Sequence, residues 1–154
     1  QEGAREAFEH PDSADVVKSM VRTFEHRRNV IVEHLNAIDG ISCKTPGGAF
    51  YLFPNISGLC DKLGVIDAYE TLPNELKDQT SPSTLFQMFA LYKHHVAVMD
   101  RRSFGRIGAE GKHYLRLSIA ADLAELEAGV KRMKNASQDV DGFKQFVKKG
   151  ENLL

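Results

Sequence analysis

The residues best suited to chemistry lie in the stretch 103–120, where a glycine-rich loop leads into a short strand with one arginine at its centre. Side chains alternate between the two faces of a strand. The apolar ones share one face: Leu115, Leu117, Ile119. The polar ones share the other: Tyr114, Arg116, Ser118. A guanidinium fixed on a strand can bind a carboxylate through two parallel hydrogen bonds. The stretch predicts a carboxylate-binding Arg116, and pairing with a structural acid or exposure to solvent are the alternatives.

The loop before this strand contains Gly105, Gly108 and Gly111. It lacks the preceding strand and following helix of a dinucleotide-binding loop, so the pattern argues against phosphate binding. The sequence also has no nucleophile elbow, no HExxH motif and no P-loop. His94 and His95 are adjacent and cannot share a helical face as a metal-binding pair does. We predict no metal site.

Covalent catalysis by lysine needs a desolvated pocket that lowers the pKa of the amine. The lysines of this chain lie on polar helix faces, as at Lys18 and Lys131, or in loops, as at Lys62 and Lys112. We therefore predict no catalytic residue and no cofactor-binding residue in this chain.

Length and composition narrow the possibilities further. A chain of 154 residues fits one domain with its own core. A formal net charge of −1, with acids and bases interleaved, argues against nucleic acid as a partner. No apolar run approaches the roughly 20 residues of a membrane-spanning helix, so no membrane association is expected. Cys43 and Cys60 are too few for a disulfide framework, which favours a reducing, cytoplasmic compartment. The first residue is not methionine, which is consistent with a fragment or a processed product.

Hydrophobic periodicity predicts the elements that position Arg116. Apolar residues recur at helical spacing from Val17 to Ile38, which predicts one long helix ending near Gly40. Residues 41–45 and 49–53 predict a hairpin, and further helices begin after Ser81 and Asp122. This order predicts an α+β fold, in which a small, mostly antiparallel sheet has helices packed on one face.

The segment 55–80 has a weak pattern, broken by Gly58, Gly64 and Pro73. We interpret it as a surface insertion within a single domain of residues 1–154, with few buried contacts of its own.

Six short motifs together resemble the small domain of class I and II aminotransferases, which are pyridoxal-phosphate enzymes of fold type I. They include the run Gly-Gly-Ala-Phe-Tyr and appear in the family's order at residues 27–29, 35–43, 46–54, 95–98, 103–105 and 114–118. The resemblance covers most of residues 1–136 and is strongest to bacterial-type aspartate aminotransferases. One departure is Asp100-Arg101, which stands where the family has Pro-Gly and predicts added charge near the pocket.

The resemblance implies three substrate-binding residues. Arg116 matches the arginine that binds the substrate α-carboxylate, Phe50 would line the substrate entrance, and Gly48 would let the backbone approach the substrate. It also implies pyridoxal 5'-phosphate as cofactor, amino acids and 2-oxo acids as substrates, and a homodimer. The family's cofactor lysine belongs to a large domain upstream of these motifs. The expectation is a C-terminal part of an aminotransferase that is inactive alone.

Two other functions stay open at this point. A free-standing domain could bind a small carboxylate or a protein without catalysis. A fold-related pyridoxal-phosphate lyase would use the same arginine.

Overall fold

A small antiparallel sheet carries Arg116 on its middle strand. The computed structural model describes residues 1–104 and 111–154. The strands in this part are β1 (Tyr51–Leu52), β2 (Met99–Asp100) and β3 (Leu115–Ser118). They lie in the order β1-β3-β2, and both outer strands are antiparallel to β3. The predicted α+β class with a small antiparallel sheet is confirmed.

Helices supply most of the remaining described structure. They are α1 (Glu2–Glu9), α2 (Ser13–Asn36), α3 (Ser57–Leu63), α4 (Val65–Glu70), α5 (Asn74–Lys77), α6 (Pro82–His94), α7 (Leu123–Gln138) and α8 (Val140–Lys149). A short 3₁₀ turn, Arg101–Phe104, follows β2. Within the described ranges, none of the helices is both long and apolar enough to cross a bilayer.

Two of the helix starts follow directly from the sequence. The Ser81 hydroxyl accepts a hydrogen bond from the Thr84 amide at 3.0 Å, with Pro82 in the first turn of α6. The Asp122 carboxylate accepts one from the Glu125 amide at 3.0 Å at the start of α7. Each cap satisfies an amide that the helix leaves without a partner.

Helix α6 lies at the centre of the core. Phe86 and Phe89 of α6 are fully buried, and the Phe89 ring meets the Phe143 ring of α8 edge-on at 5.3 Å between centroids. Leu115 and Ile119 also have no exposed surface, so the apolar face of β3 is part of this core. Burying such side chains stabilises a domain by about 1.5–3 kcal/mol each.

The predicted hairpin does not form as expected. Ser42 and Asn55 share a single bridge, and β1 pairs with β3 rather than with residues 41–45. The Asn36 side chain bonds both the amide and the carbonyl of Cys43, at 2.8 and 3.0 Å, which holds this segment against α2. Because that amide side chain satisfies the backbone locally, the segment needs no continuous strand partner.

The expectation of few buried contacts in residues 55–80 is wrong for its first half. Residues 56–65 bury five apolar side chains in the main core: Ile56, Leu59, Cys60, Leu63, Val65. Gly58, which we took for a break, instead serves this packing, because a Cβ there would lie 3.1 Å from the Gly40 Cα. A Cβ on Gly40, whose φ is +86°, would lie 2.4 Å from the Leu59 amide nitrogen. Gly64, with φ +78°, ends α3 in the left-handed region and precedes α4.

The last two helices follow each other with a single residue between them. Helix α7 ends at Gln138, and Gly142 lies inside α8. Asp139 separates the helices, and its carboxylate accepts from the Gly142 amide at 2.9 Å. An acidic side chain that caps the new helix outweighs the low helix propensity of glycine.

The two halves of α2 differ in burial although one apolar stripe runs along both. In the second half, Ile31, Val32 and Leu35 are buried. In the first half the same stripe is more than half exposed: Val16, Val17, Met20, Val21. In α1, Phe8 is 88% exposed, and no residue of that helix is buried. An apolar stripe of this length is typical of a surface that contacts another protein or domain.

Candidate functional site

Arg116 lies on the face of β3 opposite the core. Its neighbours in sequence, Leu115 and Leu117, turn toward the core, and Leu115 is fully buried. Arg116 pairs directly with Met99 of β2, and Ser118 pairs with Tyr51 of β1. Directly paired residues on adjacent strands share a face of the sheet. The strand alternation therefore places Tyr51, Met99 and Arg116 together, as the predicted face of Arg116 requires.

Two aromatic rings flank the guanidinium of Arg116. Its Cζ atom lies 4.3 Å from the centre of the Tyr51 ring and 4.2 Å from that of the Phe104 ring. Its Nη2 donates to the Met99 sulfur at 2.7 Å. These distances are well within the range of cation–π attraction. Tyr51 comes from one edge strand, and Phe104 comes from the 3₁₀ turn that follows the other.

Within the described residues, Arg116 has no carboxylate partner. Sulfur is a weak acceptor, and aromatic faces accept no conventional hydrogen bond from the in-plane N–H groups. Among the described residues, most N–H donors of the guanidinium are therefore not bonded to a conventional acceptor. Pairing with a structural acid, which was an alternative for Arg116, is not found among the described side chains.

Phe50 lies beside this cluster and does not touch Arg116 directly. Its ring centre is 4.4 Å from that of Tyr51 and 6.2 Å from that of Phe24 on α2. Its carbonyl accepts from the Ile119 amide at 2.9 Å, which ties it to the end of the Arg116 strand. The ring is 41% exposed and free to meet a ligand. Its role at a substrate entrance stays a prediction.

Gly48 lies in the exposed bend before β1, where a Cβ would meet nothing within 4 Å. The preceding Pro46 carbonyl accepts from Arg28 of α2 at 3.3 Å, so the bend is tethered to that helix. Nothing within the described residues requires glycine at position 48. Its predicted role in letting the backbone approach a substrate stays a prediction.

Gly105 and Gly108 of the predicted loop lie outside the described residues. Gly111 is described and has φ +66°, a left-handed conformation that favours glycine. Tyr51, Met99 and Phe104 were not predicted as neighbours of Arg116. The strand alternation contained a signal for Tyr51, but using it requires knowing that β1 pairs with β3.

Asp100 does not add charge beside Arg116 as its departure from the family pattern predicts. It points to the other side of β2, where it is buried at the start of α6. Its carboxylate accepts from the hydroxyls of Ser81, Ser83 and Thr84 at 3.1, 2.7 and 2.6 Å, and from the Arg102 amide at 3.0 Å. Hydrogen bonds to a charged acceptor are strong, so Asp100 fastens β2 to α6.

A cleft of about 610 Å³ opens next to this anchor and does not include Arg116. Its wall includes Lys77, Arg102 and His113. Lys77 pairs with Glu70 at 3.2 Å, and Arg102 donates to the carbonyl of Thr80 at 2.7 Å and to that of Asp78. Burial lowers the pKa of His113, with the charges of Asp61 and Asp100 acting in the opposite direction. The charged groups of Lys77 and Arg102 serve the fold here.

Neither cysteine is suited to nucleophilic chemistry. Cys43 and Cys60 are free and buried. Burial raises the pKa of both thiols, that of Cys60 to about 12, and so suppresses the reactive thiolate. Among the described residues, no group of three or more metal-ligating side chains is found.

The lysines of the chain do not fit the anchor of a pyridoxal-phosphate cofactor. All of them lie in the described ranges, and none is buried. Lys77 is the most enclosed of those in ion pairs, and it is held by Glu70. A Schiff-base lysine needs a desolvating pocket, which these side chains lack. None of these lysines therefore meets the requirement for a Schiff-base anchor.

The α+β fold, with a small antiparallel sheet that carries Arg116, is that of fold type I aminotransferases. The chain belongs to the family of class I and II aminotransferases, whose model matches residues 1–133.

Individual relatives agree with this assignment. The chain is 36% identical to a "Probable aspartate/prephenate aminotransferase" of Aquifex aeolicus over 91% of its own length and 30% of that protein's. It is 33% identical to an aspartate aminotransferase of Rhizobium meliloti over 79% of this chain and 26% of the relative.

Solved structures show the same fold. The aspartate aminotransferase from Rhizobium meliloti superposes with a TM-score of 0.64 and 30% identity, over 86% of this chain and 29% of that one. An aromatic aminotransferase from Pyrococcus horikoshii gives a TM-score of 0.66 at 26% identity, over 89% and 30% of the two chains. The chain therefore spans less than a third of the length of these relatives.

Proposed function

We propose that this chain is the substrate-carboxylate-binding part of a pyridoxal-phosphate-dependent aminotransferase, with residues 1–154 forming one small domain. The parent enzyme transfers an amino group between an amino acid, of the aspartate type, and a 2-oxo acid. The cofactor, when bound, supplies the electron sink for this chemistry. Groups outside this chain hold it, since the lysines here do not fit that task.

The observation that carries the proposal is the state of Arg116. Its guanidinium has aromatic neighbours and no acid among the described residues, on the outer face of a sheet whose other face is core. A carboxylate offers the planar, two-point acceptor that such a group fits. Arg116 would orient the substrate by its carboxylate, which is a proximity effect on the reaction. Phe50 and Gly48 would border the same site.

The names of the relatives support the aspartate-like substrate. Aspartate aminotransferases recur among the similar proteins, from Rhizobium meliloti, Bacillus subtilis and archaea. The Asp100-Arg101 departure does not argue against an aspartate-like substrate. The Asp100 carboxylate accepts hydrogen bonds from hydroxyl groups of α6 and does not face Arg116.

The exposed stripe on α1 and α2 supports the proposed partners. Side chains such as Phe8 and Met20 lie in water in this chain, yet the family model matches the residues that carry them. Relatives of this family are about three times longer than the chain. We propose that the large domain of the parent covers this stripe and that the full-length enzyme is a homodimer. The two buried, free thiols are compatible with the proposed cytoplasmic setting.

The test uses the full-length protein that carries this chain, assayed with aspartate and 2-oxoglutarate. Arg116→Ala should lower kcat/KM by at least about 30-fold, because it leaves a substrate carboxylate unpaired. Arg116→Lys should recover part of the loss, since an ammonium does not reproduce the two-point contact. Arg132→Ala, at an exposed arginine of α7, is the matched control and should leave kcat/KM unchanged. Near-normal kcat/KM in Arg116→Ala would overturn the carboxylate role.

The 154-residue chain gives a second test. Mixed with pyridoxal phosphate and both substrates, it should neither turn over nor yield one stoichiometric lysine adduct after borohydride reduction. A single trapped lysine together with turnover would contradict the assignment of the cofactor anchor to another part of the parent.

A further inference from the structure

Aromatic rings continue on both sides of the Arg116 guanidinium and form one row across the outer face of the sheet. Successive ring centres are 6.2, 4.4 and 6.3 Å apart for the pairs Phe24–Phe50, Phe50–Tyr51 and Phe104–Phe53. The guanidinium occupies the space between Tyr51 and Phe104, at 4.3 and 4.2 Å from their centres. The row therefore begins on α2, passes through residues in and beside β1, and includes Phe104 from the turn after β2.

The contact of these rings with Arg116 differs from an ion pair because it leaves the N–H donors of the guanidinium available. An acidic partner would use the N–H edge of the guanidinium and cancel its charge. A ring face attracts the cation through its quadrupole and leaves the in-plane N–H groups unused. The Met99 sulfur takes one Nη2 donor and is a weak acceptor. The two rings therefore contact the guanidinium without using its in-plane N–H groups, and among the described residues only the Met99 sulfur takes one of them.

We propose that Tyr51 and Phe104 are positioning residues for Arg116: the two rings hold the guanidinium plane so that its free edge meets the substrate carboxylate. The inference rests on the proposed function of Arg116 and adds two residues that are not assigned to the site. Preorganising a long, flexible side chain removes the rotamer entropy that binding would otherwise cost. The expected contribution is therefore to substrate affinity.

The burial of the rings argues against a purely structural role. Phe104 is 46% exposed and Tyr51 is only partly buried, so neither belongs to the buried core. Leu52, the neighbour of Tyr51 on β1, has no exposed surface and takes the packing role on that strand. Tyr51 lies on β1 and Phe104 in the 3₁₀ turn after β2, so the two rings reach Arg116 from separate segments of the chain.

The test compares ring removal with ring retention in the full-length protein. Tyr51→Leu and Phe104→Leu should each raise KM for the amino acid by about 3- to 30-fold, the range of a cation–π contact, with kcat within about twofold. Tyr51→Phe and Phe104→Tyr keep a ring and should stay within about twofold of the parent in KM. Tyr92→Leu is the matched control, because Tyr92 is a similarly exposed ring (47%) on α6 and is not one of the two rings that contact Arg116 in the described part of the chain.

A spectroscopic readout separates positioning from loss of fold. Ring currents should shift the Arg116 Nε–H resonance in the 154-residue chain, and each leucine variant should move that signal toward the position of an exposed arginine. The half-exposed Phe104 supplies the variant that folds if Tyr51→Leu does not. Unchanged KM and an unchanged Nε–H signal in Phe104→Leu would overturn the inference.

The series also distinguishes this inference from the proposed function. If Arg116→Ala has near-normal kcat/KM, the carboxylate role itself fails and the inference fails with it. If Arg116→Ala loses activity while both leucine variants keep the KM of the parent, the carboxylate role holds and the positioning role is wrong. A fall in kcat with unchanged KM in the leucine variants would likewise contradict positioning of the bound carboxylate.

Discussion

The two faces of β3 are built from neighbouring residues but serve different ends. On the inner face, Leu115 and Ile119 have no exposed surface and pack into the core. On the outer face, Arg116 lies between the rings of Tyr51 and Phe104, which are incompletely buried. One face of this short sheet packs the strand into the core, and the other presents the charge of Arg116, for which we propose a binding role.

The largest expected effect is a difference in the free energy of unfolding between two variants, each with a substitution on one face of β3. Leu115→Ala should lower the free energy of unfolding by about 2–5 kcal/mol, because it leaves a cavity in the core. Arg116→Ala should lower it by less than about 1 kcal/mol, because the side chain makes only partly exposed contacts. Urea denaturation of both variants measures this difference. Equal losses of stability would mean that the outer face also supports the fold.

A smaller loss of stability is expected from a substitution at Gly40, where the backbone after α2 lies close to the backbone of α3. Gly40→Ala places a methyl group against the Leu59 amide and in a left-handed backbone conformation, so it should cost more than about 1 kcal/mol. Gly47→Ala is the control, since a Cβ there meets nothing within 4 Å. Thermal unfolding of the pair checks the prediction. A Tm for Gly40→Ala equal to that of the control would show that α3 moves away at little cost.

The comparison extends to the two parts of segment 55–80. Residues 56–65 are in the core, whereas α5 has no buried residue. Amide exchange should therefore be as slow in 56–65 as in β3, and limited proteolysis should first cut within 71–79. Amide exchange as fast in 56–65 as in 71–79 would mean that the whole segment is a surface insertion and not part of the core. Whether the segment is an insertion relative to other family members stays a prediction.

The smallest expected effect is a pH dependence of the folding stability that arises from His113, two residues before β3. Burial lowers the pKa of His113, so the unfolded chain binds its proton more readily than the folded chain does. The resulting stability is complete above the unfolded pKa, near 6.5, and declines as pH falls toward the lower folded value. His113→Gln should flatten the stability profile of the parent below about pH 6.5. Parallel profiles for the two proteins over pH 5–7 would contradict this assignment.

Much of the fold was predictable because its signals are local. Ser81 and Asp122 start helices because their side chains accept a hydrogen bond from an otherwise unpaired amide three residues on. The 114–119 alternation predicted which side chains of β3 are buried. Predictions that needed a partner far along the chain were weaker. Residues 41–45 and 49–53 were predicted to pair as a hairpin, but β1 pairs instead with β3, more than 60 residues further along the chain.

In the candidate site, too, features with a local signal were predictable and contacts between distant residues were not. Arg116 was recognisable from its strand, since a lone cation among apolar residues stands out in any fold. Tyr51 and Phe104 gave no such signal, because each reads as an ordinary aromatic residue until the strand order is known. Asp100 misled for the same reason: only the position of α6 shows that its carboxylate turns to three hydroxyl groups and away from Arg116.

The sequence by itself determined the family, the α+β class and the face on which Arg116 lies, because motifs, caps and the two-residue period of a strand are encoded in neighbouring residues. The tertiary structure decided what surrounds that arginine, which glycines are needed for packing, and which half of α2 is covered. These depend on strand register and helix docking, which bring together residues far apart in the chain and are set by the joint packing of the whole core.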